Sequence, residues 1–135
     1  MTSPSARLRE LALTLPTVTA PAGSYVPARR SGALVFTAGQ LPFVDGALAA
    51  TGKIGGEVTP EQGKDLARTC ALNALAAVDA LVGLDAVAGV VKVVGFVASA
   101  PGFTGQPGVI NGASDLLADV FGEAGRHARS AVGVA

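Results

Sequence analysis

Gly125-Arg126-His127-Ala128-Arg129-Ser130-Ala131-Val132-Gly133-Val134 packs two arginines and the only histidine of the chain into four residues, then alternates small and apolar side chains as a strand does. Residues 127, 129, 131 and 133 share one face of such a strand, and 128, 130, 132 and 134 share the other. Ala128, Val132 and Val134 make the second set the expected core face, leaving His127 and Arg129 side by side on the opposite one. An arginine so placed either meets solvent or forms the floor of an anion pocket. The function of the chain turns on which.

Working outward from that strand, Val109 to Gly122 reads as a helix with Leu116, Leu117, Val120 and Phe121 facing inward, preceded by a loop over residues 103–108. Val87 to Ser99 is valine-rich with Lys92 its one charge, the pattern of a mostly buried strand, and Pro101-Gly102 ends it. Before it, Thr59-Pro60-Glu61-Gln62 combines an N-cap, a first-turn proline and a capping-box glutamine, predicting a helix to about Val82 that stops at Gly83. Leu66, Cys70, Asn73, Ala74, Ala77, Val78 and Leu81 form its expected buried stripe, and its alanines imply close packing. Gly52, Gly55 and Gly56 lie in a loop without the spacing of a phosphate-binding fingerprint.

Toward the beginning, Asp45-Gly46 is a hairpin turn signal, and Gly39-Gln40-Leu41-Pro42 breaks the strand Ala33 to Ala38. Arg29-Arg30-Ser31-Gly32 reads as a turn, Tyr25-Val26 as a strand start closed by Pro27, and residues 17–24 as an extended linker. Ser3-Pro4 opens a short helix to about Leu13, with Leu8, Leu11 and Leu15 on one side. This order of helices and strands predicts one α+β domain with two long helices on one face of a mixed sheet and a short N-terminal helix.

The 135 residues, half of them apolar, suffice for a real core. Ten basic and ten acidic residues cancel, so no electrostatic footprint for nucleic acid or for an anionic membrane is expected. Few aromatics and no tryptophan argue against a stacking platform for single strands. Asn73, Asp79 and Lys92 interrupt the apolar runs, so no membrane span is expected, and no secretory signal is read at the start; the expectation is a cytoplasmic protein. Cys70 is the single cysteine, which excludes an intramolecular disulfide and a cysteine-based metal cluster; it reads either as a small core residue or as a nucleophile without a basic partner nearby in sequence. Asp45 and Asp115 have no paired carboxylate nearby, so a carboxylate dyad has no support.

Tyr25-Val26, Phe36-Thr37-Ala38-Gly39-Gln40-Leu41-Pro42, Glu61-Gln62, Val91-Lys92-Val93-Val94-Gly95-Phe96-Val97, Val109-Ile110-Asn111 and Ala128-Arg129-Ser130-Ala131-Val132 stand in the order of the RidA/YjgF family, the reactive imine/enamine deaminases, which the chain resembles from Tyr25 to Val134. The N-terminal helix, the Gly52 to Gly56 loop, Asn111 to Asp115 and Gly125-Arg126-His127 resemble a side branch of that family. The resemblance implies a chorismate-mutase-like fold, a homotrimer with a site at each subunit interface, no cofactor and no metal. It further implies hydrolysis of a 2-imino acid to a 2-oxo acid and ammonia. Arg129 falls on the arginine that binds the substrate carboxylate, and Tyr25, Gly39, Asn111 and Ala131 on other site positions. Ala131 stands where the main branch often has cysteine, and the family's further strand, with a water-placing glutamate, is not expected within these residues.

Beside the ligand role, Arg129 could stabilise a surface or a subunit contact. His127 could shuttle protons or simply pack as a polar group, with Ser130 beside it a further candidate, and Asn111 could cap a helix or touch ligand. Competing with deamination are a non-catalytic trimer that binds small carboxylates and, at greater distance, an endoribonuclease or translation inhibitor.

Overall fold

The computed structural model describes residues 2–135. Thr59 opens the longest helix as its sequence dictates: its hydroxyl accepts the Gln62 N–H at 3.1 Å, and the Gln62 side chain accepts the Thr59 N–H at 2.9 Å. This helix, α2, runs Pro60–Val82 and ends at Gly83, whose φ of 80° no bulky residue adopts readily. Leu81, expected in the buried stripe, is instead exposed, and Leu84 just past the break is buried. The helix that packs along α2, called α3, spans Gln106–Phe121. It begins three residues before the expected Val109, because Pro107 suits a first helical turn.

The short helix α1 is Pro4–Glu10, capped by the Ser3 hydroxyl. It stops before the expected Leu13: Ala12 takes φ 56° and Leu13 donates back to the Leu8 carbonyl at 2.9 Å. That reversal packs Leu11, Leu13 and Leu15 against the core, which helical continuation would not.

Strands β1 (Ala28–Ser31) and β2 (Leu34–Thr37) pair antiparallel, as do β3 (Phe43–Val44) and β4 (Ala47–Leu48) across Asp45-Gly46. The arginines expected in a turn lie in β1, with Arg30 opposite Val35; Gly32, at φ 58°, makes the reversal. Strand pairing therefore begins at Ala28, not at Tyr25. Strands β5 (Lys92–Ala98) and β6 (Ala128–Val134) pair parallel, so the strands are of mixed direction, in three two-stranded ladders. Residues 87–91 precede β5 rather than extend it, and the Val90 N–H is held by the Ala124 carbonyl. The core lies between these elements: Ala67, Ala71 and Leu75 of α2, Val109, Ile110, Leu116, Leu117 and Val120 of α3, Val97 of β5, and Leu8 and Leu84.

The face of β6 is the reverse of the one its hydropathy predicts. Its register pairs Arg129 with Val93, Ala131 with Gly95 and Gly133 with Val97, and such partners share a face. Val97 is buried, and a Cβ on Gly95 would meet Ile110 of α3 at 2.5 Å, so this is the helix face. Val132 and Val134 stand exposed with Val94 and Phe96 on the other side. Size decided the outcome: Gly95, Ala131 and Gly133 let α3 settle close, where valines would overpack.

Candidate functional site

Turned toward α3, the Arg129 side chain meets two residues one helical turn apart. Its Nη1 donates to Asn111 Oδ1 at 2.7 Å and to Ser114 Oγ at 3.2 Å. Both Nη1 hydrogens are thereby used. Among the described residues no hydrogen bond engages Nε or Nη2, and no carboxylate lies within 4.0 Å of the guanidinium. The Nε/Nη2 edge is the one that grips a carboxylate through two parallel bonds. Asn111 is not a cap, since α3 begins at Gln106; its amide oxygen fixes the arginine.

His127 joins the same network. Its Nδ1 lies 2.6 Å from the Gly125 carbonyl and its Nε2 2.9 Å from Ser114 Oγ. Ser114, Asp115 and Ala118 of α3, with Gly125 and the side chains of Arg126, His127 and Arg129, line an open cleft of about 370 Å³. Asp115 faces Lys64 of α2 at 3.8 Å, and Arg126 at the rim lies 3.4 Å from Glu123. Ser114 is the functional candidate that sequence reasoning missed. Its signal was the three-residue spacing from Asn111, which puts both on one helix face.

Ala131 follows Arg129 on the same face, half-buried against α3. In β6 the Ala128 N–H bonds the Val91 carbonyl and the Val134 carbonyl accepts from Ser99, so even-numbered residues turn their backbone groups to β5. By alternation the N–H and C=O of Arg129, Ala131 and Gly133 point to the outer edge, where no described strand pairs. Ser130 turns its side chain to the opposite face from Arg129.

The structure does not bring Tyr25 and Gly39 to this network. Tyr25 is half exposed, its hydroxyl accepting the Ala22 N–H at 3.1 Å, and Gly39 follows β2 in open space. The β1–β2 hairpin touches α2 and makes no contact with β5 or β6. Cys70 is set aside as a nucleophile: burial pushes its thiol up to about 11. Among the described residues no group of side chains is arranged to hold a metal ion, and no helix is long and apolar enough to cross a membrane.

Three comparisons bear on this arrangement. Residues 5–133 match the model of the family described as "YjgF/chorismate mutase-like, putative endoribonuclease". The chain is 47% identical over 133 residues to Protein TCP17 of Trypanosoma cruzi, covering 97% of this chain and 83% of that one. Among solved structures, Atu1372 of Agrobacterium tumefaciens, of unknown function, superposes with a TM-score of 0.87 at 46% identity, covering 98% of this chain and 81% of its own. A "putative endoribonuclease" of Shewanella oneidensis superposes with a TM-score of 0.94 at 34% identity, covering 98% and 88%.

Proposed function

The chain belongs to the YjgF/chorismate mutase-like family, and from that premise we propose that it hydrolyses reactive 2-imino acids, formed by enamine tautomerisation, to 2-oxo acids and ammonia. The observation that carries this reading is the division of labour on Arg129: Nη1 is pinned by Asn111 and Ser114 while the Nε/Nη2 edge is free. A guanidinium held in place and left without an anion is prepared for one, and a 2-imino acid offers a carboxylate next to its reacting carbon.

With the carboxylate on that edge, the outer-edge backbone of Ala131 is available to the imine nitrogen or to water. Water adds to the C=N carbon, a proton passes to nitrogen, and the carbinolamine collapses to the 2-oxo acid and ammonia. Imines already react with water, so positioning and charge stabilisation suffice, without a covalent intermediate. Tyr25 and Gly39, remote from Arg129 within one chain, complete the pocket from a neighbouring copy in a homotrimer. The exposed Val94, Phe96, Val132 and Val134 on the sheet face supply apolar surface for that assembly.

A second reading, a trimer that binds small carboxylates without turnover, draws on the same free edge of Arg129, which grips a carboxylate whether or not an imine beside it is then hydrolysed. The endoribonuclease description carried by the family and by the Shewanella protein has less support here, because a chain of zero net charge offers no polyanion footprint. The deciding experiment generates 2-iminopropanoate from an amino acid and follows its decay. Acceleration that Arg129→Ala abolishes supports the deaminase. Saturable carboxylate binding without acceleration supports the binding trimer, and neither result overturns the role of Arg129.

A further inference from the structure

Ser114 has more built around it than a carboxylate grip requires. A carbonyl oxygen only accepts, so the 2.6 Å contact with Gly125 places the ring proton of His127 on Nδ1. In the neutral ring Nε2 then presents a bare lone pair, and the Ser114 hydroxyl, 2.9 Å away, donates to it. The same hydroxyl oxygen accepts from the Arg129 guanidinium at 3.2 Å, which favours negative charge developing there. The orienting carbonyl is itself fixed: Gly125 is buried, and a Cβ there would collide with the Leu117 carbonyl. A hydroxyl aimed at a base, a base held in one tautomer by a third group, and a cation beside the oxygen are the parts of an activated nucleophile. All three side chains line the open cleft beside the free edge of Arg129.

We propose that Ser114 is a nucleophile with His127 as its general base, and that this cleft hydrolyses small esters whose acyl part carries a free carboxylate. The carboxylate sits on the Nε/Nη2 edge of Arg129. Ser114 Oγ bonds to the acyl carbon as His127 Nε2 takes its proton, and the Nη1 hydrogen released by Oγ turns to the acyl oxygen. The ester C–O bond breaks, its electron pair leaving with the alcohol oxygen, which takes the proton from Nε2. Water then attacks the acyl-Ser114 with Nε2 again accepting the proton. The acid departs and Ser114 regains its hydrogen.

The test uses the full chain with mono(4-nitrophenyl) succinate, and with 4-nitrophenyl acetate as the ester lacking a carboxylate. The expected result is a burst of nitrophenolate matched by a succinyl adduct in the acid-quenched protein, mapped by peptide mass spectrometry to Ser114. The acetate ester reacts at least about tenfold more slowly, for want of the carboxylate. His127→Gln slows acylation by about a hundredfold, and Ser114→Ala forms no adduct. No adduct on the unaltered chain, or an adduct elsewhere, overturns the proposal without reference to how any variant folds. The assay reads a C–O bond and a covalent serine, so it can fail while imine turnover stands, and the reverse.

Discussion

Gly112 of α3 lies directly against the main-chain carbonyl of Lys64 in α2, with no space for a methyl group between them. This contact sets the distance between the two long helices, and through α3 the position of Asn111 and Ser114. Gly112→Ala gains helix propensity worth about 1 kcal/mol. It also forces main chain away from main chain, and overpacking of this kind costs about 1–3 kcal/mol. The expected outcome is a net loss of stability with a lower midpoint in chemical denaturation. An unchanged midpoint would mean that the overpacking costs no more than the helix propensity gained, and that the helices yield here at little cost.

Asn73 ties the loop after β2 to the middle of α2. Its side-chain amide donates to the Leu41 carbonyl at 3.0 Å and the Phe43 carbonyl at 3.1 Å, and the residue is only 4% exposed. Asn73→Leu keeps the volume but orphans both carbonyls, at a cost of roughly 1–3 kcal/mol. Hydrogen exchange separates this from a general loss of packing: protection is expected to fall first around residues 41–48.

These two residues also show what the sequence carried. The helical period put Asn73 among buried alanines, and the capping box at Thr59 fixed the start of α2, because both are local signals. Gly112 against Lys64 and the inward face of β6 are not local. They depend on how near α3 approaches, which residue hydropathy does not encode, so Val132 and Val134 read as core when Gly95, Ala131 and Gly133 hold that face. For the site, Arg129 and Asn111 were legible through family resemblance. Ser114 entered only when folding brought it between the arginine and His127.

The pH profile of stability should fall away at both ends. Ser5 donates its hydroxyl at 2.6 Å and its N–H at 2.8 Å to Asp85, holding that carboxyl below its ordinary value. A carboxylate favoured by folding contributes above its unfolded value, and the contribution is lost as pH falls through the folded one. At the alkaline end, burial raises the Cys70 thiol from 9.0 to about 11. Its contribution is complete below pH 9 and is lost as pH rises through that window. Thermal melts across the range check both, with Ser5→Ala flattening the acid limb and Cys70→Ala the alkaline one.

Asn111 is exposed, and its main role in the structure is to accept from Arg129 at 2.7 Å. Asn111→Ala should therefore leave stability nearly unchanged while freeing the guanidinium to sample other rotamers. Re-ordering such a rotamer-rich side chain when the carboxylate binds costs up to about 1.5 kcal/mol. That predicts about tenfold weaker binding of pyruvate-like carboxylates by titration calorimetry. A loss in the unfolding midpoint with unchanged affinity would move Asn111 from ligand positioning to the fold.

Tyr25 and Arg129 belong to parts of one chain that do not touch, so a pocket containing both requires two copies. If it does, Tyr25→Ala and Arg129→Ala proteins are each inactive on 2-iminopropanoate for different reasons. Co-refolded in equal amounts, they form mixed trimers in which some interfaces receive an intact Tyr25 from one copy and an intact Arg129 from the other. Random assortment makes such interfaces roughly a quarter of the total, and activity should return to about that fraction of the unaltered protein. Sedimentation velocity on the same sample verifies the trimer. Mixed trimers that remain inactive would remove Tyr25 from the site of its neighbour and leave Arg129 to act within its own chain.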